Sequence, residues 1–225
     1  MASEHILRIY HGSSDPNLVP TYSGGKEYHD YGKGFYCVED IEMAKEWACQ
    51  HNDKTISYVY AFNLNLLGLD QIMNLNTSAP AYWLSALAAH RYISKEGALL
   101  KQRRERFIKA FHVDCTTVDV VMGWRANDQY FAYLRDFLRM DISYEAVVEA
   151  MRLGDLGQQV VLISEKAYAN CLLVDKIAIN ESEYDKYYKQ YNERDLTARS
   201  AMNRARDLPG RSIEDLILKG DVYDK

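Results

Sequence analysis

Gly32-Lys33-Gly34-Phe35-Tyr36, running on through Val38-Glu39-Asp40 to Trp47, is the stretch from which the fold of this chain is read. Two glycines within three positions let the backbone turn tightly and approach a ligand closely, because neither carries a Cβ. The aromatic, β-favouring run that follows predicts a strand fed by that turn. Asp40 predicts a helix N-cap, and Glu42 and Glu46 fall early in that helix, where its dipole favours acids. A glycine turn, an inward tyrosine and a capped helix form a wall suited to a flat, phosphate-bearing ligand. Glycine turns between strands are also ordinary, and a strand tyrosine usually packs a core, so the stretch gains meaning from its neighbours. It is not the dinucleotide-binding GxGxxG, because a tyrosine strand rather than a helix follows Gly34.

Upstream, His5 to His11 alternates as a strand does and ends in His11-Gly12-Ser13. Ser13 to Tyr31 carries Pro16, Pro20, Gly24 and Gly25, which predicts a loop and a candidate flexible lid over the ligand wall. Downstream, Asp40 to His51 reads as a helix and Thr55 to Leu64 as a strand. Ser78 predicts an N-cap with Pro80 in the first turn of a helix reaching about Ile93, and Gly97 to Phe111 predicts another. The basic run Lys101 to Arg106 reads as a solvated face rather than a nucleic-acid patch. Val118 to Met122 predicts a strand ending at Gly123, with helices capped by Asn127 or Asp128 and by Ser143. Gln158 to Ile163 and Cys171 to Ile179 predict the last strands, with a short helix opened by Ser164 between them. A long polar helix from Glu181 to Arg206 stops at Pro209-Gly210, before a small terminal helix.

Strand, His-Gly-Ser, loop, Gly-Lys-Gly-Phe-Tyr and a helix with an aromatic eleven residues past the tyrosine resemble the NAD-binding half of ADP-ribosyltransferases. The branch is the one whose signature begins with histidine and tyrosine, as in diphtheria toxin and the poly(ADP-ribose) polymerases. More closely, the chain is similar to an uncharacterised bacterial family of ADP-ribosyltransferase-like domains. There, the two early elements precede a Gly-Tyr-Arg-Ala-Asp-Asp-like segment and a Gln-x-Val-like strand. Here these read Gly123-Trp124-Arg125-Ala126-Asn127-Asp128 and Gln159-Val160-Val161, and the resemblance covers roughly residues 6 to 175.

The resemblance implies NAD as co-substrate, with His11 on a ribose hydroxyl and Gly12, Ser13 and Gly34 close to the ligand. It implies Tyr36 and Trp47 on either side of the nicotinamide ring, each stacking contact worth about 0.5–1.5 kcal/mol beyond area burial. Ala44 takes the position where the polymerase branch carries a serine on the carboxamide, which leaves that amide to backbone groups. The third signature position, usually glutamate, falls on Gln159. A glutamine can hydrogen-bond the ribose 2′-hydroxyl but cannot act as a charged base, which argues for single-unit transfer over chain elongation. Arg125 suits a diphosphate and Asp128 can supply the missing carboxylate; an ordinary surface arginine and an N-cap aspartate fit these two equally well.

The chain has 225 residues and a net charge of −5, so no global basic field points to nucleic acid or an anionic membrane. Its four scattered cysteines form no CxxC and pair with no histidine at metal spacing, which predicts free, mostly buried thiols and no metal. No apolar run approaches the roughly 20 residues of a membrane span, and the N-terminus lacks a signal-like segment, which predicts a cytoplasmic protein. These readings converge on an α+β fold: an ADP-ribosyltransferase-like split, mostly antiparallel mixed β-sheet with the ligand between its halves, helical insertions and a C-terminal helix. Residues 1–180 form the expected catalytic domain and 181–225 a helical extension. The expected function is mono-ADP-ribosyl transfer by a bacterial toxin-like effector to a protein or nucleic-acid acceptor, with His11, Tyr36, Gln159 and Asp128 catalytic. The extension is the expected surface for an antitoxin or self-association. The alternative from another class is a catalytically degenerate NAD-binding or protein-interaction module.

Overall fold

Alternation in the first segment produces β1 (Ile6–Ser13), which pairs antiparallel with β3 (Ser57–Asn65). On its other edge β3 pairs antiparallel with β7 (Cys171–Ile179), completing a three-stranded sheet. The second sheet has the order β2-β6-β5-β4: β2 (Phe35–Cys37), β6 (Gln158–Leu162) and β5 (Val120–Trp124) are antiparallel neighbours, and β4 (Ile72–Asn74) lies parallel to β5. The computed structural model describes residues 5–22, 24–25, 27–51, 56–126, 128–154 and 156–221, without the side chains of 128, 129, 153 and 154. The fold is α+β, as the sequence predicts, with helices inserted between β3 and β6.

Period-two alternation sorts the side chains into layers. Val120, Val160 and Leu162 of the second sheet meet Ile9, Tyr60, Phe62 and Leu64 of the first, so the two sheets share an apolar interior. Val121 and Val161 point the opposite way into a helical core, where Trp83, Phe107, Phe137 and Tyr144 are fully buried. Burial of each such side chain contributes about 1.5–3 kcal/mol. That core gathers α2 (Pro80–His90), α3 (Ala98–Ala110), α4 (Asp128–Arg139) and α5 (Tyr144–Gly154). The far face of the first sheet is covered by α1 (Ile41–Ala48), with Met43, Ala44 and Ala48 packed on Val59.

The long C-terminal helix α7 (Glu181–Ala205) spans about 37 Å at 1.5 Å per residue. Tyr184 and Tyr187 at its start pack beside α1, while Ala198, Met202 and Ala205 at its end enter the helical core and Ala201 is also buried. The alanines at 198, 201 and 205 recur at helical spacing, so the inward face of an otherwise polar helix can approach its neighbours closely. Ile213 and Leu216 of α8 (Ile213–Lys219) enter the same core, and a Ser212–Asp215 capping box opens that helix. A short helix, α6 (Glu165–Ala169), capped by Ser164 as expected, leads into β7.

Several sequence expectations are corrected. Ser78 does not cap α2: Ala79 takes that position, and the Ser78 hydroxyl donates to the Asn74 carbonyl instead, at 3.4 Å. The helix ends at His90 rather than Ile93. Strand β4, three residues long, carries too short a pattern to be read from sequence. The basic run on α3 is only partly a solvated face: Arg104 clamps Glu96 bidentately at 2.7 and 2.8 Å, and Arg106 reaches Glu214 of α8 at 2.8 Å. The four cysteines are free, and Cys37, Cys49 and Cys115 are buried, as expected. No described helix is long and apolar enough to cross a membrane.

Candidate functional site

Among the described residues the backbones of the two sheets pair at one isolated bridge and then part. Tyr10 and Val38 exchange backbone hydrogen bonds of 2.7 and 2.9 Å, forming an isolated bridge between β1 and the end of β2. The ladder does not continue past it. The His11 imidazole accordingly takes the Tyr36 carbonyl, with Nδ1 at 2.7 Å. A carbonyl only accepts, so Nδ1 carries the proton and Nε2 is left as an acceptor. Burial lowers the His11 pKa below its ordinary value, the Tyr36 carbonyl opposing this, so the ring is neutral at physiological pH. Phe35 stacks on it at 4.6 Å between centroids.

Where the sheets separate, a cavity of about 560 Å³ opens, within the range of clefts that bury small ligands. His11, Gly12, Gly34, Tyr36, Trp47, Arg125 and Gln159 all line it, although they come from five separate segments. Tyr36 is fixed at its phenol, which donates to the Gly32 carbonyl at 2.7 Å and accepts from the Tyr31 N–H at 3.0 Å. Burial raises its pKa well above the phenolic range, so the ring is a neutral, anchored wall rather than an acid or base. The glycine turn predicted at Gly32 is present, with φ +79°. Gly34 has a second reason to be glycine: a Cβ there would lie 2.6 Å from Val161 Cγ1 and 2.8 Å from the Leu162 carbonyl. At Gly12 a Cβ would lie 2.2 Å from the Ala44 carbonyl, so glycine lets β1 lie directly on α1. Asp40 caps α1 as expected, accepting from the Glu42 N–H at 2.8 Å.

Other expected residues take different places. Ser13 is not part of the cavity lining; its hydroxyl accepts from the Asp15 N–H at 3.1 Å in a local turn. Asp128 opens α4, but its side chain lies outside the described residues, as does Asn127. Trp47 reaches the cavity with the Arg125 guanidinium over its ring, 4.6 Å from the centroid, and Tyr191 of α7 is 5.7 Å from the same guanidinium. One face of Trp47 is therefore covered by a cation. Burial lowers the Arg125 pKa, opposed by Tyr191, Asp30 and Glu46, and an arginine remains charged through such a shift.

Asp30 and Tyr191 are cavity residues that sequence reasoning missed, and Asp30 is the one with chemistry to offer. It is buried, and its Oδ2 accepts from Gln159 Nε2 at 2.8 Å and from the Ala126 N–H at 3.0 Å. Arg91 Nε lies 3.7 Å from Oδ1. Burial raises the Asp30 pKa, while Arg91, the two hydrogen bonds and Arg125 pull it back. The one available signal was an aspartate within His29-Asp30-Tyr31-Gly32, directly before the glycine turn. Its neighbour Tyr31 anchors the segment, donating to the Trp124 carbonyl at 2.6 Å and accepting from Trp83 Nε1 at 2.8 Å. The loop before it lines the cavity through Leu18 to Thr21, Gly24 and Gly25, and is tied down where the Tyr60 hydroxyl donates to the Asp15 carbonyl at 2.6 Å.

Compared with family models, the chain matches one described as "Protein of unknown function (DUF3990)" over residues 7–173, and it belongs to that family. The matched span takes in every cavity residue named above except Tyr191. No curated protein and no solved structure matches the chain.

Proposed function

We propose that this chain transfers a single ADP-ribose unit from NAD to a macromolecular acceptor, as a bacterial toxin-like effector of the ADP-ribosyltransferase-like fold. The observation that carries the reading is the convergence of His11, Tyr36, Gln159, Arg125 and Trp47 on one cleft between two sheets. The reaction breaks the bond between ribose C1′ and the nicotinamide nitrogen, and its electron pair leaves with nicotinamide. The acceptor's lone pair then bonds C1′, and the acceptor's proton passes to solvent. The transition state is cation-like at the sugar, as in glycoside hydrolysis, so positioning and charge carry the catalysis. His11 offers Nε2 as acceptor to a ribose hydroxyl, the anchored Tyr36 ring offers a flat wall, and Arg125 offers a cation to the diphosphate.

A second reading, a non-catalytic NAD-binding module, draws on Gln159 standing where the resemblance places glutamate. One experiment separates the two: incubation of the full chain with NAD labelled in its adenylate moiety and bacterial lysate. Transfer predicts label on macromolecules, lost in His11→Ala and Tyr36→Ala. Protection from heat by NAD without transfer or nicotinamide release would favour the binding module. No protection and no turnover would end both readings.

A further inference from the structure

We propose that Asp30 and Gln159 act as one unit in place of a catalytic glutamate: Asp30 locks the Gln159 amide with its oxygen toward the cavity and holds a negative charge directly behind it. This rests on the transferase reading above.

The geometry fixes the amide. Gln159 Nε2 donates to Asp30 Oδ2 at 2.8 Å and, more weakly, to the Trp124 carbonyl at 3.4 Å. A carboxylate and a carbonyl only accept, so the end of the amide turned toward them is the nitrogen. Oε1 is the opposite end, and no described residue donates to it. Gln159 lines the cavity, so its oxygen stands as an acceptor for a ribose hydroxyl, the same hydrogen bond a glutamate oxygen would accept. Asp30 is itself held against rotation by the Ala126 N–H, which donates to the same oxygen at 3.0 Å, and by Arg91 on the other oxygen. A neutral amide cannot offset positive charge developing at C1′; the carboxylate one hydrogen bond behind it can, in a buried site where water screens little. Asp30 is thus a positioning residue and Gln159 the group that meets substrate. The competing role for Asp30 is purely structural, as counter-ion to Arg91 and Arg125.

Steady-state NAD turnover by the full chain separates these roles. Asp30→Asn keeps the shape and an acceptor for Gln159 Nε2 but removes the charge. Its kcat is expected to fall about 100-fold, with KM for NAD changed less than about threefold, because charge acts mainly in the transition state. The acid limb of the pH–kcat profile should disappear with the carboxylate. Asp30→Asn with Gln159→Glu returns a carboxylate to the site and should recover at least about tenfold of the loss, which a structural counter-ion role does not predict. Unchanged kcat in Asp30→Asn, or no recovery in the double variant, overturns the unit while wild-type turnover still supports the transferase. A wild type that neither consumes NAD nor is stabilised by it overturns both. Should Asp30→Asn fail to fold, Gln159→Glu alone carries the test. Two carboxylates then share the site and the acid limb must move to higher pH, and an unmoved limb overturns the unit.

Discussion

The two walls of the cavity are built differently. One is local: His11 meets the Tyr36 carbonyl across 25 residues of chain, and the Tyr36 phenol is tied to backbone four and five residues away. The other is assembled from afar: Asp30 and Gln159 are 129 residues apart, and Glu46 and Arg194 are 148 apart. The Glu46–Arg194 pair does not line the cavity but ties α1 to α7 beside Trp47 and Tyr191, which do. The local wall is held by backbone groups and by glycines that admit close approach. The assembled wall is held by charged side chains, of which Asp30 and Glu46 are buried against partners that arrive from other elements. Backbone approach leaves a mark in sequence, since glycine and aromatic spacing must allow it. Charge pairing across the fold leaves almost none.

The sharpest way to break this contrast is to remove a long-range partner. Arg194 of α7 clamps Glu46 of α1 bidentately at 2.8 and 2.9 Å, and Glu46 is only 4% exposed. Arg194→Ala strands that carboxylate in the interior and is expected to cost about 3 kcal/mol in urea unfolding, the low end for a broken buried pair because Arg194 is itself partly exposed. An unchanged midpoint would mean that the far wall does not depend on α7. The local wall should fail by overpacking. Gly12→Ala drives a Cβ to 2.2 Å from the Ala44 carbonyl and 2.6 Å from the Ala48 nitrogen, both backbone atoms, so β1 and α1 must separate. The expected loss is about 2 kcal/mol, read by the same unfolding curve; tolerance of alanine would show that the close contact is not needed.

This difference also sets what was legible in the sequence. The order of strands and helices followed from alternation, caps and glycine turns, and Asp40, Ser164 and the Pro209-Gly210 stop fell where local chemistry puts them. His11, Gly12, Tyr36 and Gln159 reach the cavity because strand register places them there. Asp30 was not legible, since a lone acid in a tyrosine-rich loop has no local partner that marks it. Tyr191 was not legible either, because the polar pattern of α7 hides which turn faces Arg125. Ser78 misled for the opposite reason: a good capping residue one position too early donates its hydroxyl to the Asn74 carbonyl and leaves Ala79 to start the helix.

The smallest effect is absent at neutral pH and grows on acidification, and it tests the local wall through His11 alone. Burial depresses the folded-state pKa of this ring, and the Tyr36 carbonyl only partly opposes it. The native state therefore binds the proton less readily than the unfolded chain, whose histidines titrate near pH 6.5. Stability from the neutral ring is fully present above about pH 6.5 and is lost as pH falls toward the depressed folded value. Comparison with His11→Asn, whose side chain does not titrate, isolates this contribution, because the half-buried His90 is also depressed but is common to both proteins. The two stability-against-pH curves should run parallel above about pH 6.5 and converge below it as the wild type alone pays for protonation. A constant separation down to pH 5 would show that protonated His11 is accommodated. In that case Nε2 would present a donor rather than an acceptor to the cavity, and the local wall would lose its contact to a ribose hydroxyl.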